Sequence, residues 1–171
     1  SIVCKHSVLF PRKWMVMEIL ELMAENEENI AHLYRLYAEK LPKYGNFWSR
    51  LADEETEHAS MIRKFAAGVE KGTYHLDEKR FPPGALQTYE AYLDGSMQKA
   101  IKVGVDVMSA FTTALYIEES LIELKFFEII DSGSDDFDEV LLRLKKDTGE
   151  HSGRIKEYWT KIKDSNREDI F

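Results

Sequence analysis

The sequence predicts an all-α protein: an antiparallel four-helix bundle built from two helical hairpins with one long crossover. Three observations predict it. Gly and Pro cluster at Pro42 to Gly45, Gly68 to Gly72, Pro82 to Gly84 and Asp131 to Ser134, and such clusters interrupt helices. The long stretches between them are rich in Leu, Glu, Lys, Ala and Met, all good helix formers. No comparable stretch shows the alternation of apolar and polar residues that marks a strand. At 171 residues and 44% hydrophobic content the chain can close one sizeable core, so residues 1–171 are expected to form a single domain.

The four helices are expected at about Lys13 to Leu41, Gly45 to Lys71, Gly95 to Asp131 and Asp136 to Lys163. Short turns at Pro42 to Gly45 and Ser132 to Asp135 make each pair an antiparallel hairpin. The stretch Gly72 to Asp94, which contains Pro82, Pro83 and Gly84, is the expected crossover, with a short helix around Leu86 to Leu93.

Composition narrows the function classes. With 31 acidic against 23 basic residues and a net charge of -8, the surface repels phosphate backbones and anionic lipid, so no nucleic-acid and no membrane partner is expected. Cys4 is the only cysteine, which leaves no internal disulfide and no Cys-x-x-Cys metal knuckle and fits a reducing compartment. No apolar run approaches the roughly 18 residues that span a bilayer, and Lys5, His6, Pro11, Arg12 and Lys13 break the amino-terminal stretch. A cytoplasmic protein is expected. Phe47, Phe111, Phe127 and Trp159 fall beyond the inner stripes, and apolar outer patches mark contacts, so a homodimer is expected as well.

The chemistry emerges when each helix is followed along its inner stripe, where residues recur at alternating steps of three and four. Helix one presents Leu20, Met23, Glu27, Ile30, Tyr34, Tyr37 and Leu41, with a single carboxylate at Glu27. Helix two presents Trp48, Leu51, Glu55, His58, Ile62, Phe65 and Val69, with a Glu and a His three apart. Helix three presents Val105, Met108, Thr112, Leu115, Glu119, Ile122, Phe126 and Ile129, so Glu119 becomes the counterpart of Glu27. Helix four presents Leu141, Leu144, Thr148, His151, Ile155, Tyr158 and Ile162, which sets His151 level with His58 and a Thr where helix two has Glu55. The stripes carry no Lys or Arg, and an ionised carboxylate is costly to bury without a positive partner. A metal cation is the natural partner, and carboxylate oxygens with imidazole suit iron or manganese.

One inward Glu on each of two helices and Glu-x-x-His on another resembles the di-iron site of the rubrerythrin and ferritin-like superfamily. Residues 51–59, LADEETEHA, are similar to the second-helix motif of rubrerythrins, and Glu27 followed by Tyr34 is similar to their first-helix spacing. The resemblance runs from about Met17 to Ile162 and is most specific in the first hairpin. It implies Glu27 as a metal ligand, Glu55 as a bridging ligand and His58 as a terminal ligand, with Glu119, His151 and Glu123 as candidates in the second half. It implies iron, two ions, with manganese or zinc as the alternatives. It also implies a di-iron oxidoreductase of peroxidase or ferroxidase type acting on peroxide or dioxygen. Such proteins often carry a four-cysteine rubredoxin domain; with Cys4 alone, an external electron donor is expected. Tyr34, Tyr37 and Tyr158 are expected as core residues that hydrogen-bond a ligand carboxylate or water.

The second hairpin leaves alternatives open. Thr148 stands where a second bridging carboxylate belongs, and Glu123, Asp147 or Glu150 are the acids near enough in sequence to replace it. A register using Glu119, Asp147 and Glu150 keeps the intervals of the first hairpin but turns Arg143, Arg154 and Glu157 inward. A register using Ser120, Thr148 and His151 leaves Glu123 as the nearby acid and implies a half-lost site. The chain is then either a di-iron redox protein or a half-degenerate bundle with one metal or none and a storage or assembly role.

Overall fold

The computed structural model describes residues 12–73, 83–120 and 135–168. These form five helices with no strand among them: α1 (Arg12–Lys40), α2 (Gly45–Glu70), α3 (Pro83–Lys102), α4 (Val107–Glu119) and α5 (Asp135–Glu168), with a 3-10 turn at Pro42–Tyr44 before α2. None of the described helices is long and apolar enough to cross a membrane.

The first hairpin follows the sequence expectation closely. Pro42 cannot continue α1 because it has no N–H to donate and its ring clashes with the preceding turn. The backbone instead tightens, with Leu41 N–H donating to Tyr37 O at 2.9 Å and Tyr44 N–H donating to Leu41 O at 2.8 Å. Just past the end of α2 comes Gly72, whose φ of 77° lies in the left-handed region. There Thr73 N–H reaches back to Gly68 O at 2.9 Å and Gly72 N–H to Val69 O at 3.0 Å, satisfying carbonyls that would otherwise be left open. Arg63 on α2 bonds both Glu21 and Glu28 on α1, fixing the axial register of the pair.

The stretch expected to be one helix from Gly95 to Asp131 is divided. Gly95 to Lys102 is the last part of α3, which starts at Pro83 and packs along α1, so the crossover carries a full-length helix rather than a short one. The chain turns at Gly104, where φ is 90°, a conformation that costs a glycine little. Asp106 then starts α4 afresh, its carboxylate accepting from Ser109 N–H at 2.9 Å as an N-cap. At Ser120 the backbone turns extended, with ψ 132°. The expected end at Asp131, the turn from Ser132 and the candidate Glu123 lie outside the described residues.

This division changes which side of the third bundle helix faces inward. On α4 the buried residues are Ala110, Phe111, Ala114, Ile117 and Glu118, whereas Thr112 and Glu119 of the expected row are exposed and Met108 and Leu115 are half-buried. One residue of helix is about 100° of rotation, enough to exchange Glu119 for Glu118. Phe111, expected on an outer face, is buried, while Phe47 and Trp159 are half-buried against the same core and Phe127 lies outside the described residues. The large apolar side chains left exposed include Tyr92, Ile101, Val103, Tyr116 and Leu142.

Two apolar clusters fill the interior. One joins Val16, Leu20 and Met23 of α1 with Ile62 and Phe65 of α2 and Leu141 and Leu144 of α5. The other joins Ile30 to Leu41 of α1 with Trp48 and Leu51 of α2, Leu93 of α3, Phe111 and Ile117 of α4, and Ile155 of α5. Between them, on α1, α2, α4 and α5, the buried residues turn polar: Asn26 and Glu27, Glu55 and His58, Glu118, Thr148 and His151. Because the cap at Asp106 fixes where α4 begins, Asp106→Ala should lower the unfolding free energy by about 1 kcal/mol, read from denaturant midpoints at constant slope.

Candidate metal centre

Each polar residue of the middle layer arrives by helical spacing. Glu55 and His58 lie one turn apart on α2, so both face inward from the same side. Glu27 projects from α1, Glu118 from α4, and Thr148 and His151 from α5, all buried. The side chains converge. His58 Nδ1 lies 2.9 Å from Glu55 Oε2 and 4.0 Å from Glu27 Oε2. His151 Nδ1 lies 2.6 Å from Glu55 Oε1 and 3.7 Å from Glu118 Oε2. The two imidazole rings stack at 5.3 Å with their planes 17° apart.

Both imidazoles present Nδ1 to the centre and are anchored at the back. Nε2 of His151 lies 3.1 Å from Glu54, which Arg154 holds in an ion pair. Nε2 of His58 lies 3.5 Å from Asp147, itself 3.5 Å from Arg143. An N–H directed at an outer carboxylate leaves the opposite ring nitrogen as a lone pair facing inward, the arrangement a metal-binding histidine needs. On the other side, Tyr34 donates its hydroxyl to Glu118 Oε1 at 2.7 Å and fixes that carboxylate.

Several buried atoms are left with no hydrogen-bond partner: Glu27 Oε2, Glu55 Oε1 and His151 Nδ1. The last two are close to each other but not aligned to share a proton, so lone pairs point into common space. Glu55, His58 and His151 offer ligand atoms all within 4.8 Å of one another. Three buried carboxylates and two imidazoles, with no buried Lys or Arg among the described residues, match what a transition-metal cation requires.

The proton balance shows the same demand. Burial, and then the charge of Glu55, push the Glu27 carboxyl well above its ordinary range. Burial, and then Glu55, do the same to Glu118 against the opposing pull of His151 and Tyr34. Burial would raise Glu55 too, but the imidazoles of His151 and His58 beside it outweigh that and hold Glu55 well below the ordinary range. Burial disfavours charge on His58 and His151, yet Glu55 reverses this and raises both. Tyr34 is raised well above an ordinary phenol by burial and by Glu118, so it stays a donor.

Of the residues expected from sequence, Glu27, Glu55, His58 and His151 come together. Glu119 does not: its side chain is exposed and lies 3.9 Å from Lys156. Its place is taken by Glu118, which the sequence reading missed because it carried one helical phase through Gly104. The signals that could have found it are the Asp106 and Ser109 capping pair and the apolar row Ala110, Ala114, Ile117.

The chain belongs to the rubrerythrin family, whose model, Rubrerythrin, matches residues 18–130, about two thirds of the sequence. No curated protein and no solved structure is similar enough to this chain to count as a match. The matched span contains Glu27, Glu55, His58 and Glu118, whereas Thr148 and His151 lie beyond it.

Two outcomes are expected. Glu118→Gln should weaken metal binding by more than about tenfold while Glu119→Gln changes it little, read by titration of ferrous or manganous ion. Metal-free protein should lose thermal stability as pH rises. Glu27, Glu118, His58 and His151 all have folded pKa values above their unfolded ones. Each therefore favours the fold at low pH, and the loss runs upward from about pH 4.3 for the acids and about 6.5 for the histidines. Glu55 has the opposite sign, but its contribution is complete above about pH 4.3. Metal must displace these protons, so affinity should rise with pH, and melting curves with saturating metal should show the slope reversed.

Proposed function

We propose that the chain holds two iron ions in its middle layer and is an oxidoreductase of peroxidase or ferroxidase type acting on peroxide or dioxygen. The observation that carries this reading is the span of Glu55: one oxygen faces His58 Nδ1 and the other faces His151 Nδ1. A carboxylate so placed would be able to hold two cations at once. Glu27 then completes the His58 side and Glu118 the His151 side. Iron bound there supplies electrons to the oxidant; manganese or zinc would fit the same donors. The apolar clusters above and below keep water from the layer, and Tyr34 holds Glu118 in place. Peroxide or dioxygen turnover also needs an external electron donor, and pairing of two chains belongs to the same reading.

Thr148 favours a second reading. It is buried in the layer, and a neutral hydroxyl there supplies no second bridge, which suits one metal and a storage or assembly role. Anaerobic titration with ferrous ion separates the two. About two equivalents per chain, lost in Glu55→Ala, followed by consumption of added peroxide, is the expected result; a single equivalent with no consumption would establish the second reading.

A further inference from the structure

A chain of oxidisable rings leads from the metal layer to the surface. Tyr34, bonded to Glu118, lies 5.4 Å from Trp48 and 6.3 Å from Tyr37 between ring centroids, and Tyr37 lies 5.2 Å from Trp48. Tyr37, Tyr92 and Thr113 line one groove, and Tyr92 lies 5.0 Å from Tyr116. Tyr92 is 37% exposed and Tyr116 59%. Every ring on this path is Tyr or Trp, while Phe47 and Phe111 pack to its side against Trp48. Core packing alone does not ask for that choice. The indole N–H of Trp48 is fully buried and has no hydrogen-bond partner, a cost that a phenylalanine would avoid. Electron transfer, in contrast, needs rings that can be oxidised.

The path ends at a groove of about 870 Å³ between α3 and α4, lined by Tyr37, Tyr92, Ser96, Lys99, Ala100 and Thr113 among others. Aromatic rings, a hydroxyl and an ammonium beside small apolar side chains suit a small aromatic ring that carries a hydroxyl. We propose that this groove takes a small phenol as reducing substrate, and that Tyr37, Trp48 and Tyr34 carry its electrons to the oxidant at the metal layer. The inference rests on the redox function proposed above and names the donor class for it. A phenol gives up its electron from the same O–H chemistry as the tyrosines, so no large energetic step separates substrate from relay.

The balance closes. Ferrous ions held by Glu27, Glu55, His58, Glu118 and His151 would supply the two electrons that the first peroxide takes. Each later peroxide takes two electrons and two protons and leaves as two waters. Each of those electrons comes from Tyr34, whose O–H bond breaks as its proton passes to Glu118. An electron arriving through Trp48 and Tyr37 refills Tyr34, which takes that proton back. At the groove the phenol loses one electron to the relay and its proton to solvent, the source of the protons consumed. In sum, one peroxide and two phenols give two waters and two phenoxyl radicals.

The test uses iron-loaded protein, excess hydrogen peroxide and 2-methoxyphenol, with a nitroso spin trap replacing the phenol in a parallel sample. Wild type should oxidise the phenol, and the trap should mark Tyr92 in peptide mass maps. Tyr37→Phe should keep its iron stoichiometry but lose at least about tenfold in phenol oxidation and carry no trap on Tyr92. Ser96→Trp, which fills the groove, should raise KM for the phenol and leave kcat. Unchanged phenol oxidation in Tyr37→Phe, or a trap still found on its Tyr92, overturns the relay. If wild type consumes peroxide without oxidising the phenol or marking Tyr92, the relay fails alone. If it consumes no peroxide, the redox function fails and the relay with it.

Discussion

The cost of burying charge in the middle of the bundle governs the rest of the structure. Glu27, Glu55 and Glu118 share one dry layer with two imidazoles, and several kcal/mol stand against each carboxylate left ionised and unpaired there. The layer compromises: the two imidazoles hold Glu55 ionised, and burial drives Glu27 and Glu118 towards their neutral forms. The outer ion pairs of Glu54 with Arg154 and Asp147 with Arg143 belong to the same arrangement. They keep the basic groups outside the layer and turn the imidazole lone pairs into it.

That layer exists because four helices bring their polar residues to one height. On α1, α2 and α5 the apolar rows break off on either side of it, and the register is set by features distant from the site. Arg63 fixes α2 against α1, and the ring stack of Phe111 on Tyr158 at 5.7 Å fixes α4 against α5. The two hairpins are not equivalent. The first places the Glu55 carboxylate between the two imidazoles, and the second has a threonine, Thr148, at the matching level. The family match has the same asymmetry, since it ends before α5.

The crossover does more than connect. Tyr89 and Leu93 of α3 are buried in the same cluster as Tyr34, Tyr37 and Trp48, so α3 closes that end of the core while leaving a groove towards α4.

The sequence by itself determined the helical class, the first hairpin and the inward set Glu27, Glu55, His58 and His151. These follow from local rules, because within an unbroken helix the spacing of three and four residues dictates which side chains share a face. Only the tertiary structure decided the rest. Where the chain breaks at Gly104 and restarts at Asp106, the helical phase is reset, and no periodicity carried across the break could choose between Glu118 and Glu119. Packing against α5 and the hydroxyl of Tyr34, 84 positions away in sequence, made that choice. The outer anchors of the two histidines, and the groove that Tyr37, Tyr92 and Thr113 share, likewise depend on which helices lie side by side, which one-dimensional spacing does not contain.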